Sequence, residues 1–96
     1  MEIEVISEDA DFILALSCWD YREVEDDPNI IFRIDKPIRS SGFIESFYQI
    51  AVDLGIVAIQ VGIATNLIAA WIIFARQKSN VRKTNIKIIF HNKKKN

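Results

Sequence analysis

Few side chains in this sequence are of the types that catalysis or metal binding requires. One cysteine, Cys18, and one histidine, His91, stand against thirteen carboxylates. A nucleophilic thiol needs a base or cation beside it to hold the thiolate form. Cys18 instead lies in the apolar run FILALSCW and reads as a buried structural thiol, and with no second cysteine it forms no intramolecular disulfide. His91 has no cysteine or histidine at ligand spacing, so a metal site is not expected. Glu23, Glu25, Asp26 and Asp27 lack the alternating ligand pattern of a calcium hand and read as a solvated turn. There is no glycine-rich phosphate loop and no nucleophile with a nearby histidine. The expectation is a chain with no catalytic residue and no cofactor.

Charge is distributed far more unevenly than the formal net of −1 suggests. Residues 1–53 hold all 13 acids and 4 bases, net −9; residues 54–96 hold 8 bases and no acid, net +8. Residues 54–75, LGIVAIQVGIATNLIAAWIIFA, carry no formal charge, and Arg76, Lys78, Arg82 and Lys83 follow at once. As a helix the stretch would be ~33 Å long, against about 30 Å of bilayer hydrocarbon. The first expectation is therefore a single-pass membrane helix over 54–75. Its basic C-terminal side would be cytoplasmic, residues 1–53 outside, and Trp71 an interfacial anchor beside the membrane-flanking Arg76, Lys78, Arg82 and Lys83. The alternative is a soluble cytoplasmic fold in which the segment is buried. Gln60, Thr65, Asn66 and two glycines favour that alternative, because each polar group must find a partner in hydrocarbon. MEIE has no positive n-region, so no secretory signal peptide is expected.

The elements that would position these residues follow from periodicity. MEIEVIS alternates and predicts a strand over 1–7; a capped amphipathic helix is expected from about 10 to 22, and EVEDDPN at 23–29 is a turn. IIFRID at 30–35 predicts a second strand with Ile30, Phe32 and Ile34 on one face. KPIRSSG at 36–42 reads as a loop, with Ser41 a candidate cap for a helix from 43 to 78 that only glycines interrupt; TNIKIIF at 84–90 is a last strand and HNKKKN a solvated tail. The fold class is α/β (α+β). A small acidic β-α-β portion over 1–42 precedes a long apolar helix or helix pair over 43–78, and a basic strand and tail over 79–96 complete one domain. A spanning helix would strand residues 84–90 away from the other two strands, whose edges need pairing. A single sheet requires the apolar segment to fold back, at Gly55 or around Thr65-Asn66.

Small residues recur along the apolar segment: Gly55, Ala58, Gly62, Asn66 and Ala70 are the expected helix-contact residues, since small side chains let helices approach closely. The expected partner is a protein, either an effector or a second copy meeting this small-residue face, with membrane lipid as a further contact for the basic flank. Nucleic acid is not expected, because no aromatic residues interleave the basic ones in a reading motif. The rival reading is a soluble inhibitor or immunity-type protein whose acidic N-terminal face blocks a basic partner.

The order of MEIEVIS, DFILALSCWDY, IIFRID, LGIVAIQVGIATNLIAAWIIFARQK and NIKIIF resembles the effector-associated constant component family of bacterial conflict systems. The likeness covers nearly the whole chain through generic motifs. It implies a non-catalytic adaptor that couples a separately encoded or fused effector, such as a protease or nucleotide-processing domain, to a sensing event. No catalytic residue carries over from it. On the helix-contact reading, Gly62→Leu blocks close backbone approach and changes the oligomer or complex size measured by light scattering; an unchanged size counts against that contact.

Overall fold

The computed structural model describes residues 1–41, 46–81 and 83–91. β1 (Glu2–Ser7) follows its alternation: Ile3, Val5 and Ser7 are buried, while Glu2, Glu4 and Ile6 lie on the other face. It is an inner strand of a five-stranded antiparallel sheet. On one side it pairs with β4 (Ser46–Leu54), Glu2 opposite Asp53 and Ser7 opposite Tyr48. On the other it pairs with β5 (Ile86–His91), Glu2 opposite His91 and Ser7 opposite Ile86. The free side of β4 takes two short strands in succession. β2 (Phe32–Ile34) lies against its C-terminal half and β3 (Ile38–Ser41) against its N-terminal half. The fold is thus mixed α+β, and strands drawn from both ends and the middle of the chain share one sheet.

α1 (Ala10–Leu16) starts where the sequence says it should. Asp9 is the N-cap, its carboxylate accepting the Phe12 N–H at 3.1 Å, and Asp11 places a second negative charge in the first turn. The helix stops six residues earlier than expected. The Ser17 hydroxyl and the Cys18 thiol both turn back to the Leu14 carbonyl, and the Leu16 carbonyl, which a continuing helix would use internally, accepts the Trp71 indole N–H at 2.7 Å. Cys18 is consequently exposed, not buried as its apolar surroundings suggested, while Trp19 turns inward. A 3-10 turn at Tyr21–Glu23, capped by Asp20, leads into the acidic turn. There Asp27 accepts the Asn29 N–H at 2.9 Å, an Asx turn.

The expected 43–78 helix is the main correction. Residues 43–45, the expected start of that helix, lie outside the described residues, and from Ser46 the chain is strand, not helix. SFYQIAVDL has period two where it matters: Ile50, Val52 and Leu54 are buried and Phe47 and Asp53 are exposed. β1 supplies a partner edge that a helix would leave unpaired. The chain does fold back at Gly55, whose N–H donates to the Ile31 carbonyl at 3.0 Å. α2 (Ile56–Gln60) follows, then a turn through Gly62, and α3 (Ala64–Ser79), which ends on Asn80 in the left-handed conformation. The second break falls at Gly62, before Thr65-Asn66. At 16 residues, α3 is ~24 Å long, and among the described residues no helix is long and apolar enough to cross a membrane. β3 occupies most of what was read as the 36–42 loop, through its pairing with β4.

α1 and α3 cover one face of the sheet. The core joins Ile3, Val5, Ile50 and Val52 from the strands to Phe12, Ile13, Leu16, Leu67 and Trp71 from the helices. Phe32 sits between two indoles, edge-on to Trp19 with centroids 5.1 Å apart and to Trp71 at 5.4 Å. Replacing Trp71 by Phe removes the donor to the Leu16 carbonyl and part of this aromatic packing. We expect a loss of about 2 to 4 kcal/mol in urea unfolding; a loss below about 1 kcal/mol would mean the indole N–H contributes little.

Candidate functional site

The residues expected to act as one helix-contact row do not form a row. Gly55 precedes α2, Ala58 is enclosed in the core on α2, Gly62 is in the turn, and Asn66 and Ala70 belong to α3. Two of them have separate structural reasons to be what they are. A Cβ on Gly55 would lie 2.9 Å from the Cβ of Ile31, so the strand-to-helix passage needs a residue without one. Gly62 has φ of +79° with open space around it, so its constraint is backbone conformation, not a neighbour.

The membrane-flank set is likewise dispersed. Trp71 is fully buried, because its indole fills the space between α1 and β2, which removes it as an interfacial anchor. Arg76 stands with its guanidinium carbon 5.6 Å from the Phe12 ring centroid, and Lys78 is exposed with its Nζ 5.9 Å from the Phe74 ring. Lys83 is exposed after α3; Arg82 lies outside the described residues, as do the tail lysines. Arg76 and Lys83 line an open cleft of about 730 Å³ together with Glu8, Asp9, Asp11 and Thr84. The acidic start of α1 and the basic end of α3 therefore face each other across one cleft. Each also sits at the helix end where its sign is favoured.

The geometry that most resembles a docking site lies on the other flank of α3. Trp71 packs on Phe32 of β2, and at the far side of β1 the strand β5 is left partly uncovered, with Phe90 exposed. A groove of about 300 Å³ runs there, floored by Ile3 and walled by Ile68, Ala69 and Ile72 from α3 and by Phe90 from β5. Its lining is overwhelmingly apolar. Phe90 is 60% exposed, and Ile73 on α3 and Ile56, Ile59 and Val61 around α2 are also exposed. Adjacent large apolar side chains left in water mark interaction surfaces more often than isolated ones do. β5 also ends the described sheet, so the groove borders an edge strand.

The sequence places Phe90 on a strand face but gives no sign that α3 leaves it exposed. A scan against protein-family models matched nothing, and neither a search of curated proteins nor one of solved structures returned a match. The glycine assignments are checked by stability. Gly62→Leu should cost about 1 to 2 kcal/mol through its left-handed backbone, and Gly55→Ala about 1 to 3 kcal/mol through overpacking against Ile31. Chemical denaturation measures both, and a Gly62→Leu protein of unaltered stability but altered oligomer size would restore the helix-contact reading.

Proposed function

We propose that this chain is a non-catalytic interaction protein that receives an apolar segment of a partner protein in the groove between α3 and β5. The observation that carries the reading is the apolar lining of that groove beside the exposed ring of Phe90. A cavity of this size is at the lower end of those that enclose a small molecule. It suits two or three anchoring side chains of a larger partner, in the manner of a helix laid into a groove or a strand added to an edge. An adaptor that couples to an effector protein in a bacterial conflict or signalling system, as the family resemblance implies, is one role such a groove serves.

Lipid is the competing occupant, since exposed Ile56, Ile59, Val61 and Phe90 also suit a membrane surface. The acidic-inhibitor reading draws less support. Glu8, Asp9 and Asp11 share a cleft with Arg76 and Lys83 of the same chain, which offsets their field. A fluorescent amphipathic peptide with a leucine face provides the probe. Fluorescence anisotropy should show saturable binding to the full chain, weakened at least tenfold by Phe90→Asp and by Ala69→Glu, two exposed positions that the fold tolerates. Binding that ignores both substitutions overturns the groove reading. Binding to anionic vesicles in place of the peptide, lost on Phe90→Asp, replaces the protein partner with lipid.

A further inference from the structure

Along the sequence no cysteine or second histidine stands at ligand spacing from His91. The sheet changes its neighbours. The antiparallel register of β1 and β5 places His91 directly opposite Glu2, with Glu4 two residues along the same face. All three project from the face of the sheet opposite the buried Ile3 and Val5, and all three are half-buried. One ligand atom from each lies within 4.8 Å of the others. The closest pair, His91 Nε2 and Glu4 Oε1, is 3.1 Å apart.

That pair is close enough for an ion pair, yet Nε2 has no hydrogen-bond partner and is itself shut off from solvent, although the ring as a whole is not. An enclosed ring nitrogen whose neighbouring carboxylate stands at ion-pair distance but outside hydrogen-bond geometry is uncommon, and Glu2 completes the cluster around the ring. Two donors each about 2.1 Å from a shared ion stand about 3 to 3.5 Å apart, the separation that Nε2 and Oε1 already have. The wider separations close by rotation of glutamate side chains that are not locked in the core. Asp53, opposite Glu2 on β4, adds a third carboxylate to the same end of the face, with Arg33 on β2 opposite it in turn. Asp53 is itself partnered there, its Oδ1 lying 3.8 Å from the Met1 ammonium, so Glu2, Glu4 and His91 are the donors left to a cation.

We infer that Glu2, Glu4 and His91 form a binding site for a divalent first-row transition ion, with zinc as the representative, bound by one imidazole nitrogen and two carboxylates. An imidazole among the donors favours zinc and its neighbours over magnesium and calcium, which prefer all-oxygen shells. Water would complete the coordination sphere on the solvent side. The ion would bridge the second residue of β1 to the last residue of β5 and so fasten the edge strand to its neighbour. This inference is independent of the groove, which lies on the opposite face of β5.

Zinc titrated calorimetrically into the metal-free full chain should give a saturable isotherm with one ion per chain, and cobalt should develop a visible absorption band on binding. His91→Ala and Glu4→Gln should each weaken zinc at least tenfold, while Cys18→Ser, which removes the exposed thiol that zinc would otherwise find, leaves the affinity unchanged. Zinc should also raise the melting temperature of the parent chain and not that of His91→Ala. The site is overturned by absence of saturable binding to a chain shown to be folded by circular dichroism. It is equally overturned by binding that survives both His91→Ala and Glu4→Gln, or by binding that Cys18→Ser abolishes.

Discussion

The bond from the Trp71 indole to the Leu16 carbonyl, 2.7 Å long and buried, is the constraint on which the arrangement of the helices rests. It joins residues 55 positions apart. At one end it satisfies a carbonyl that the termination of α1 would otherwise leave orphaned in the core, and at the other it fixes the rotation of α3 about its axis. Burying a tryptophan requires a partner for its N–H, and burying a helix terminus requires a donor for its last carbonyls. Each requirement answers the other. Phe32 then wedges between Trp71 and Trp19, so the same indole ties both helices to the short strand β2.

With α3 fastened to α1 and β2 through this indole, Phe90 of β5 remains exposed, and the apolar groove lies between the helix and that strand. The strand topology has a comparable effect on the other face. β1 comes first in the chain and β5 last, yet they are neighbours, with Glu2 against His91. Residues that sequence proximity separates by almost the full length of the chain become a cluster because β1 needs a partner on each edge. The two candidate sites sit back to back on β5: Phe90 faces the helices and His91, one residue on, faces away.

What could be read in the sequence was the local part. The alternation of MEIEVIS and the inward set Ile30 and Phe32 appear as expected, and so does the Asp9 cap of α1. Those features depend on residues within a few positions of one another. The misreadings share one cause, which is that a distant partner overruled a local preference. SFYQIAVDL sits in an apolar stretch that helix periodicity tolerates, and pairing with β1, more than 40 residues away, makes it β4. The α1 helix was extended too far because the donor that ends it is on α3. Cys18 was placed inside because the run around it is apolar, but the early stop turns it outward. The role of each glycine was legible only in part. Gly55 did mark a fold-back, whereas the sequence alone could not separate a residue needed for a close approach from one needed for a positive φ.

The uneven charge, which first suggested a membrane protein, has a different reading once the fold is known. In a single sheet with helices on one face, the acidic and basic halves are not held on two sides of anything. They meet at the cleft between α1 and α3, where Glu8, Asp9 and Asp11 face Arg76 and Lys83. Attraction between the two halves across an open, solvated cleft is screened and individually weak. It nevertheless acts in the same direction as the hydrophobic packing of α1 on α3, so the charge partition and the core agree on one arrangement of the chain. What the cleft does not absorb remains on the surface. The groove beside Phe90 is lined by apolar side chains, and on the far face Glu2, Glu4 and Asp53 share their corner with the Met1 ammonium and Arg33. The sheet therefore offers two surfaces of different preference, one for an apolar segment and one for a cation.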